Sequence, residues 1–456
     1  MRSDSLPASE AARAELHRLV AVAQAESRLP SVSAAVLREG EVVWSEAVGL
    51  ADAEGERAAT PDTQYRIGSI TKTFTATAIM QLRDAGRLGL DDPLEEHLPE
   101  APHGQASLRR LLSHLSGLQR EPPGEVWETL ESPDREQLLT GLASAEQVLA
   151  PGERWHYSNL AFALLGEVIE RASGLPYRRY LEERLLEPVA LERTTFEPVD
   201  PVAQGYFVEP YSDTVVREQH VDLRAIASAG QLWSTTGDLL RWGMFLSHPD
   251  PAILAPRTAE QMRELQAMHD AESWTLAWGL GLALYRRGGR IYAGHTGGMP
   301  GHLAALVFSA GERTGAAVLT NTSSRFDPQE LALRLAERSL ELEPAVPVAW
   351  RPGEPVPGEL APLLGRWWSE GAEFVFEVRD GKLEARLAEA PRKLPPSVFE
   401  PEGSDRFRTI SGREQGELLR VVRDESGAVV RLYWATYPFA REPEVFGGER
   451  EGSDPV

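Results

Sequence analysis

The chain has 456 residues, which at roughly 150 residues per domain allows about three domains, or one large α/β unit with a smaller one. Its 42% hydrophobic and 25% charged residues are close to globular averages and exclude disordered and fibrous proteins. The formal net charge of −22 disfavours nucleic acid and anionic membrane surfaces as partners, because both are negatively charged.

The sequence lacks cysteine and lacks long apolar segments, and these two features limit its chemistry and its cellular compartment. The sequence has no cysteine, which excludes disulfides, thiolate metal ligands and a cysteine nucleophile. No apolar run approaches the ~20 residues that span a bilayer, and no signal peptide is visible. We therefore expect a cytoplasmic protein, unless a leader has been trimmed from the chain.

Lysine is rare in this chain, and one lysine stands alone. Only Lys72, Lys382 and Lys393 are present among many arginines. In such a sequence a retained lysine suggests a role that arginine cannot fill. Accepting a proton is such a role, since a desolvated lysine can be neutral near pH 7 and arginine cannot.

Ser69 lies three residues before Lys72, at the start of a predicted amphipathic helix. The apolar residues that recur at every fourth position are Ile70, Phe74, Ala78 and Leu82. Residues at i and i+3 share one helix face, so we expect the amine near the serine hydroxyl. The free N–H groups at the helix start also favour an oxyanion there. Alone, the pattern is equally typical of a capping serine followed by an exposed lysine.

A second motif, Tyr157-Ser158-Asn159, precedes the apolar stretch 160–165. We predict it on the loop that opens a buried helix. There a tyrosine can relay protons and an asparagine can orient a bound carbonyl. An ordinary helix cap is the alternative interpretation, because Ser158 and Asn159 both cap helices well.

A third motif reads Gly-His-Thr-Gly-Gly at residues 294–298 and ends a short predicted strand, 291–293. Two apolar core strands are predicted after it, at 301–308 and 315–320. A glycine-bordered strand edge lets a substrate backbone approach closely and offers an N–H group to an oxyanion. A glycine-rich hairpin would have the same signature.

The order of Ser-x-x-Lys at 69–72, Tyr-x-Asn at 157–159 and His-Thr-Gly at 295–297 resembles the serine β-lactamase and penicillin-binding-protein superfamily. It looks most like the branch with class C β-lactamases, D-alanyl-D-alanine carboxypeptidases, D-aminopeptidases and β-lactamase-like esterases. Further stretches that look like this branch are 88–93, 111–118 and 229–239. The resemblance spans about residues 12–340. It implies an α/β fold with a central antiparallel sheet flanked by helices, plus a helical region.

The resemblance also implies a role for each motif residue. Ser69 would be the acyl-forming nucleophile, Lys72 its activating partner, and Tyr157 the general acid or base. The backbone N–H groups of Ser69 and Gly298 would form the oxyanion hole. The residues that would bind substrate are Asn159, His295, Thr296 and Gly297. Whether Lys72 or Tyr157 is the formal base stays open, since the pair can titrate as one unit.

One departure from the family limits the substrate. His295 stands where many β-lactamases have a lysine that helps to bind the drug's carboxylate, so we expect weak or absent β-lactamase activity. We expect a serine hydrolase that cleaves a small amide or ester through a Ser69 acyl-enzyme, with D-amino-acid or short peptides as substrates. A carboxylesterase of the same fold is the first alternative. A non-catalytic penicillin-recognising or scaffolding protein is the alternative from another class.

No cofactor or metal is expected. His-x-x-x-His, Walker A and Gly-x-Gly-x-x-Gly patterns are absent, and His114 lies in a stretch that the family uses structurally. The expected partner is a small molecule or short peptide, with β-lactams as candidate acylating ligands, and neither nucleic acid nor a membrane. A homo-oligomer is compatible with the sequence.

A proline-rich segment separates two predicted domains. Residues 343–362 contain six prolines and predict an extended linker between a hydrolase domain at 1–342 and a β domain at 363–456. The strands predicted in the second domain are 374–378, 382–387, 417–422 and 429–434, with turns at 380–381 and 426–427.

The second domain resembles the lipocalin-like barrels appended to some relatives. Its tryptophans at 367, 368 and 434 are predicted to fill the barrel core, with a ligand cavity as the alternative. We expect the domain to gate the active site or to build an oligomer.

Overall fold

The computed structural model describes residues 8–323, 326–344, 349–391 and 394–444. The chain divides into two compact units, Met1–Ala345 and Val346–Val456. The predicted linker spans this division, and its residues 345–348 lie outside the described ones, as does Lys393. The predicted limits of the two domains stay predictions.

An antiparallel sheet of nine strands forms the centre of the first unit. The strands of this unit are β1 (Ser31–Arg38), β2 (Glu41–Asp52), β3 (Arg57–Ala58), β4 (Tyr65–Arg66), β5 (Tyr206–Val208), β6 (Val215–Arg217), β7 (Trp233–Ser234), β8 (Ala267–Met268), β9 (Leu276–Trp278), β10 (Ala283–Arg287), β11 (Arg290–Met299), β12 (His302–Ser309) and β13 (Thr314–Thr320). Nine of them pair in the order β3-β2-β1-β13-β12-β11-β10-β9-β8. The early strand β1 therefore lies between β2 and the late strand β13.

The described part of this unit also contains α-helices, which lie between the strands in the chain. They are α1 (Glu10–Glu26), α2 (Thr71–Asp84), α3 (Leu94–His97), α4 (Leu108–Leu112), α5 (Val126–Thr129), α6 (Arg135–Gly141), α7 (Asn159–Ser173), α8 (Tyr177–Leu181), α9 (Thr236–Ser247), α10 (Pro256–Met262) and α11 (Pro328–Leu342). Short 3₁₀ turns lie at Gly68–Ile70, Leu142–Ser144 and Arg224–Ala229, and one π-helical turn at Glu182–Leu186. In the described ranges, no helix is both long and apolar enough to cross a membrane.

Helices cover both faces of the sheet. Every residue of β1 is buried, and successive side chains enter different cores. Ala34 and Val36 pack in the core with α1 and α11, whereas Ala35 and Leu37 belong to the larger core with α2, α7 and α9. This arrangement confirms the predicted α/β fold with a central antiparallel sheet and an added helical region.

The helix that carries the predicted nucleophile begins later than the sequence indicated. We expected a helix from about Ser69, but Gly68–Ile70 form a 3₁₀ turn and α2 begins at Thr71. Gly68 has a φ of +49°, and a β-carbon there would lie 2.8 Å from the Gly298 nitrogen. A glycine is needed because this residue has a left-handed backbone conformation and lies directly against β11.

The third motif lies within a strand, so the prediction that the strand ends at residue 293 was wrong. β11 continues to Met299 because β12 pairs with it along its length, from Ala293 opposite Phe308 onward. On its other side, pairing with β10 stops at Gly294. Residues 295–299 therefore leave one strand edge unpaired by β10, which is the free edge that the glycines suggested.

The second unit is a nearly closed antiparallel barrel of eight strands. They are β14 (Gly365–Ser369), β15 (Ala372–Arg379), β16 (Lys382–Leu387), β17 (Ser397–Pro401), β18 (Arg406–Ser411), β19 (Leu418–Arg423), β20 (Val429–Trp434) and β21 (Tyr437–Phe439), after a 3₁₀ turn at Ala361–Leu363. Each strand pairs with the next along the chain. The backbones of Trp368 and Ala440 exchange hydrogen bonds of 2.8 and 3.0 Å, which links the first strand to the end of the last.

Two of the three barrel tryptophans lie in its core, and the third is half-buried. Trp367 is fully buried and donates its Nε1 hydrogen to the Leu363 carbonyl. Trp434 is 2% exposed and donates to Thr409 Oγ1. Trp368 is only partly buried. A lipocalin-like character stays a prediction.

Candidate active site

Lys72 is completely buried, and its amine meets three oxygens at hydrogen-bonding distance. Nζ lies 3.1 Å from Ser69 Oγ, 2.7 Å from Asn159 Oδ1 and 2.6 Å from the carbonyl oxygen of Ala229. The 3₁₀ turn and the first turn of α2 bring the serine and lysine together. The start of α7 and the end of the Arg224–Ala229 turn supply the other two acceptors.

The surroundings of Lys72 favour its neutral form. Burial lowers the pKa of Lys72 to about 7, the nearby Glu121 carboxylate opposes this shift, and the Arg120 guanidinium adds to it. A neutral amine has two hydrogens and one lone pair. Asn159 Oδ1 and the Ala229 carbonyl can only accept hydrogens, so the lone pair is left for the Ser69 hydroxyl. The ammonium form, with three hydrogens, satisfies the same three oxygens without rearrangement.

Tyr157 lies beside this pair, on the loop that precedes α7. Its ring centroid is 5.0 Å from Lys72 Nζ, and the buried ring of His114 stacks on it at 4.3 Å. Burial raises the pKa of Tyr157, and a hydrogen bond with Ser69 partly offsets this. The phenol therefore keeps its proton at neutral pH and can act as a donor next to the serine.

The capping interpretation of the second motif is also correct, and it explains how the motif is positioned. Ser158 Oγ accepts the Ala161 N–H at 3.0 Å, which caps α7, and donates its own hydrogen to the Gln119 carbonyl. With Ser158 at the cap, its two neighbours flank the start of the helix. Tyr157 and Asn159 are thereby held at the site together.

The backbone of β11 touches the nucleophile turn. A β-carbon on Gly297 would lie 1.9 Å from the Ile67 carbonyl oxygen and 3.1 Å from the Ser69 nitrogen. Only a residue without a side chain fits there. The contact places the amide of Gly298 beside the turn that carries the amide of Ser69. That these two amides form an oxyanion hole stays a prediction.

His295 is a buried, neutral ring behind the site. It is 2% exposed, and its ring packs edge-on against Trp278 at 5.2 Å and lies 6.3 Å from that of Tyr157. Its Nδ1 hydrogen is donated to the Thr296 carbonyl at 2.5 Å. Burial and the charge of Lys72 lower the pKa of His295 to about 3. Thr296 next to it is half-buried.

The structure adds two residues that no motif indicated, Arg120 and Glu121. Asn159 Nδ2 donates to Glu121 Oε1 at 2.7 Å, and the Arg120 guanidinium lies 4.9 Å from the Tyr157 ring centroid. The Arg120 carbonyl accepts the Asn159 N–H, which fixes this segment to the start of α7. Their sequence offers no periodic or spaced pattern. The sequence analysis therefore had no signal for them.

Nowhere in residues 8–323, 326–344, 349–391 and 394–444 do three or more His, Asp or Glu side chains converge as metal ligands would.

Each of the two units matches the model of a known protein family or domain. Residues 16–339 match the family model Beta-lactamase, and residues 356–441 match a domain of unknown function, DUF7586. The D-aminopeptidase of Brucella melitensis is 26% identical over 418 residues, which are 89% of this chain and 76% of that protein. Esterase EstB of Burkholderia gladioli is 34% identical over 206 residues, 41% of this chain and 52% of the esterase.

A solved structure is similar over nearly the whole chain. The octameric penicillin-binding protein homologue from Pyrococcus abyssi has a TM-score of 0.65 and 25% identity, with 94% of this chain and 99% of that one covered. Several of the curated relatives are matched over only about half of their length. The Beta-lactamase match, in contrast, runs from within α1 to within α11 and so includes the whole central sheet. This chain therefore belongs to the beta-lactamase family of serine hydrolases.

Proposed function

We propose that this protein is a serine hydrolase that cleaves small amides or esters through an acyl-enzyme on Ser69, chiefly in D-amino-acid derivatives or short peptides. The observation that carries the proposal is the contact of 3.1 Å between Lys72 Nζ and Ser69 Oγ, in surroundings that lower the lysine pKa to about 7. An amine near that pKa can accept a proton at neutral pH.

Acylation follows from the hydrogen-bond roles at this contact. Ser69 Oγ attacks the substrate carbonyl carbon while its proton passes to the lone pair of Lys72. The new ammonium keeps its bonds to Asn159 and to the Ala229 carbonyl, so the proton transfer needs no movement of the acceptors. The carbonyl oxygen, now negative, is bound by the amides of Ser69 and Gly298.

Tyr157 completes the reaction at the leaving group. The phenol, protonated at neutral pH, donates its hydrogen to the departing nitrogen or oxygen as the tetrahedral intermediate collapses, and takes a proton back from the Lys72 ammonium. Water then attacks the ester on Ser69. Its proton returns through the same two side chains, which releases the acid and restores the serine.

The substrate class is supported by the relatives and by the third motif. The D-aminopeptidase match extends over 89% of this chain, which is why we favour D-amino-acid derivatives. Carboxylesterase activity is the second candidate, because the esterase match has the higher identity, 34%. A neutral His295 supplies no positive charge for the carboxylate of a β-lactam, which supports weak or absent β-lactamase activity.

Intact-mass spectrometry after treatment with a fluorophosphonate tests the proposal. A single adduct is expected on the wild type, none on Ser69→Ala, and strongly slowed labelling on Lys72→Ala. The matched control is Lys382→Ala, which removes an exposed lysine paired with Glu400 in the second unit and should label like the wild type. Absence of an adduct on the wild-type protein would favour a non-catalytic protein of this fold.

Substrate assays then separate the two candidate activities. D-Alanine p-nitroanilide reports amide cleavage, and p-nitrophenyl acetate reports ester cleavage. Turnover of the ester but not of the anilide would contradict the proposed peptidase activity and support a carboxylesterase.

A further inference from the structure

His114 is a buried residue beside the proton donor, and the chemistry derived above does not use it. It lies two residues after α4 and is completely buried, and its ring stacks on that of Tyr157 with the centroids 4.3 Å apart. Its backbone has a φ of +58°, which is a left-handed conformation. A glycine would adopt this conformation more readily, so the turn itself does not account for the histidine.

Two hydrogen bonds join His114 to the residues on either side of Tyr157. The His156 N–H donates to the His114 carbonyl at 2.8 Å, and the Ser158 N–H donates to His114 Nδ1 at 3.1 Å. The imidazole stacks on the tyrosine between them. His114 therefore contacts three consecutive residues, 156–158, and holds the backbone before and after the phenol.

The bond with Ser158 specifies where the ring carries its hydrogen. A backbone N–H can only donate, so Nδ1 must present its lone pair, and the hydrogen of the neutral imidazole is then on Nε2. Burial and the charge of Lys72 lower the pKa of His114 well below its ordinary value. At neutral pH the ring is consequently an uncharged acceptor for the Ser158 N–H.

Two further aromatic rings restrict the imidazole. The ring centroids of Phe162, on α7, and Trp278, on β9, lie 5.2 and 4.9 Å from that of His114. Rotation of the imidazole would have to displace these rings, and it would also take Nδ1 away from Ser158. The acceptor is thereby held in one direction, and the backbone next to Tyr157 is held with it.

We propose that His114 is a positioning residue that keeps the Tyr157 phenol aligned with the leaving group by holding the backbone on both sides of the tyrosine. This inference rests on the proposed function and adds a residue to the same site. A general acid must lie within hydrogen-bond reach of the atom that it protonates, and a displacement of about 1 Å can cost about 10²-fold in rate. In this role His114 acts through Tyr157 and donates no proton itself.

The test compares substrates whose leaving groups differ in their need for a proton. An anilide or an alkoxide requires protonation as it departs, whereas p-nitrophenolate is stable as an ion at neutral pH. The quantity measured is kcat/KM for D-alanine p-nitroanilide divided by kcat/KM for p-nitrophenyl acetate. If the wild type cleaves only esters, ethyl acetate takes the place of the anilide. A general loss of active protein lowers both rates and leaves this ratio unchanged.

Three variants separate the contacts of His114. His114→Phe keeps an aromatic ring but has no acceptor for the Ser158 N–H. His114→Asn has an oxygen at the same number of bonds from the backbone as Nδ1, and His114→Gln moves that oxygen one bond further. Tyr157→Phe is the reference for loss of the donor. The matched control is His302→Phe, at a histidine of β12 that is 3% exposed and whose ring lies 5.3 Å from that of Trp233.

We expect Tyr157→Phe to lower the ratio by about 10²-fold or more. His114→Phe and His114→Gln should lower it by about tenfold or more, because the phenol is displaced from the leaving group. His114→Asn should keep the ratio within about threefold of the wild type, since its oxygen can accept the Ser158 N–H. Thermal unfolding shows which variants fold, and the comparison of His114→Asn with His114→Gln decides alone if His114→Phe does not.

Three results overturn the inference while the proposed function survives. The first is a ratio that His114→Phe and His114→Gln leave at the wild-type value, as His302→Phe should. The second is an equal loss in His114→Asn and His114→Gln, which would show that the acceptor for Ser158 does not place the tyrosine. The third is Ser69-dependent turnover of p-nitrophenyl acetate alone, which would show that no donor assists the leaving group. Ser69-dependent turnover of none of the three compounds would overturn both the inference and the proposed function.

Discussion

The side-chain oxygen of Asn159 accepts a hydrogen bond from Lys72 at 2.7 Å, and this contact fixes the orientation of the Asn159 amide. The amide nitrogen consequently faces the Glu121 carboxylate. The same carboxylate opposes the lowering of the lysine pKa, whereas the Arg120 guanidinium contributes to it. Two adjacent residues of opposite charge thus act on the amine that we propose as the base.

The pH dependence of activity should show the opposite effects of Glu121 and Arg120 on the pKa of Lys72. If neutral Lys72 is the active form, kcat/KM for p-nitrophenyl acetate rises with pH through about 7 and then levels off. Glu121→Gln removes the group that raises the pKa, so the rise should move to lower pH. Arg120→Gln removes a group that lowers the pKa, so the rise should move to higher pH.

The measurement is the pH profile of kcat/KM for the wild type, Glu121→Gln and Arg120→Gln, from stopped-flow or steady-state kinetics. Shifts in the same direction for both variants would contradict the assignment of the rise to Lys72. A profile that is flat between about pH 5 and 9 would show that another group limits the reaction.

The close approach of Gly297 to the nucleophile turn gives a steric prediction. In Gly297→Ala the new β-carbon would lie 1.9 Å from the Ile67 carbonyl oxygen, so β11 must move away from the turn. Displacing an oxyanion-hole donor typically costs about 10²–10³-fold in kcat, and we expect a loss of this size.

A matched glycine in the same hairpin serves as the control for this prediction. A β-carbon on Gly289 would meet no atom within 4 Å, so Gly289→Ala should keep full activity. The measurement is the rate of fluorophosphonate labelling, with thermal unfolding to confirm that both variants fold. Equal rates for the two variants would show that the Gly297 contact does not position the donor.

The parts of the site that the sequence predicted are those set by local geometry. Ser69 and Lys72 meet because residues three apart also lie on one side of the 3₁₀ turn that leads into α2, and Tyr157 is placed by the cap at Ser158. These relations depend on residues that are close in the chain.

The parts that the sequence did not predict depend on distant pairing. β11 extends to Met299 because β12 supplies partners, although its glycines have low strand propensity. Glu121 reaches Asn159 across 38 positions, and nothing in the intervening sequence marks that contact. In the barrel, four of the eight strands were missed, namely β14, β17, β18 and β21.

The barrel core can be tested against the alternative of a ligand cavity. Trp367 is fully buried, and its ring lies 6.5 Å from that of Phe376. Trp367→Ala should destabilise the second unit by about 3–5 kcal/mol, the usual cost of emptying a buried aromatic site. The measurement is urea unfolding followed by tryptophan fluorescence, with Trp350→Ala as the control because Trp350 is 81% exposed. A variant as stable as the wild type would favour a cavity.

The stability of the first unit should also depend on the protonation of Lys72. Its pKa is about 7 in the folded protein, below the ordinary value of 10.5, so between these values the unfolded chain binds more protons. The contribution of Lys72 to the free energy of unfolding is therefore lowest below about pH 7. It increases as the pH rises toward 10.5, by at most roughly 1.4 kcal/mol per pH unit.

Lys72→Met tests this dependence, because it removes the titrating group but keeps a buried apolar stem. The stability of the wild type relative to Lys72→Met should consequently increase between urea titrations at about pH 6, 7.5 and 9. Lys382→Met, at an exposed lysine, provides the baseline. A difference that is the same at all three pH values would mean that Lys72 stays charged when folded, and a neutral lysine could not then be the base.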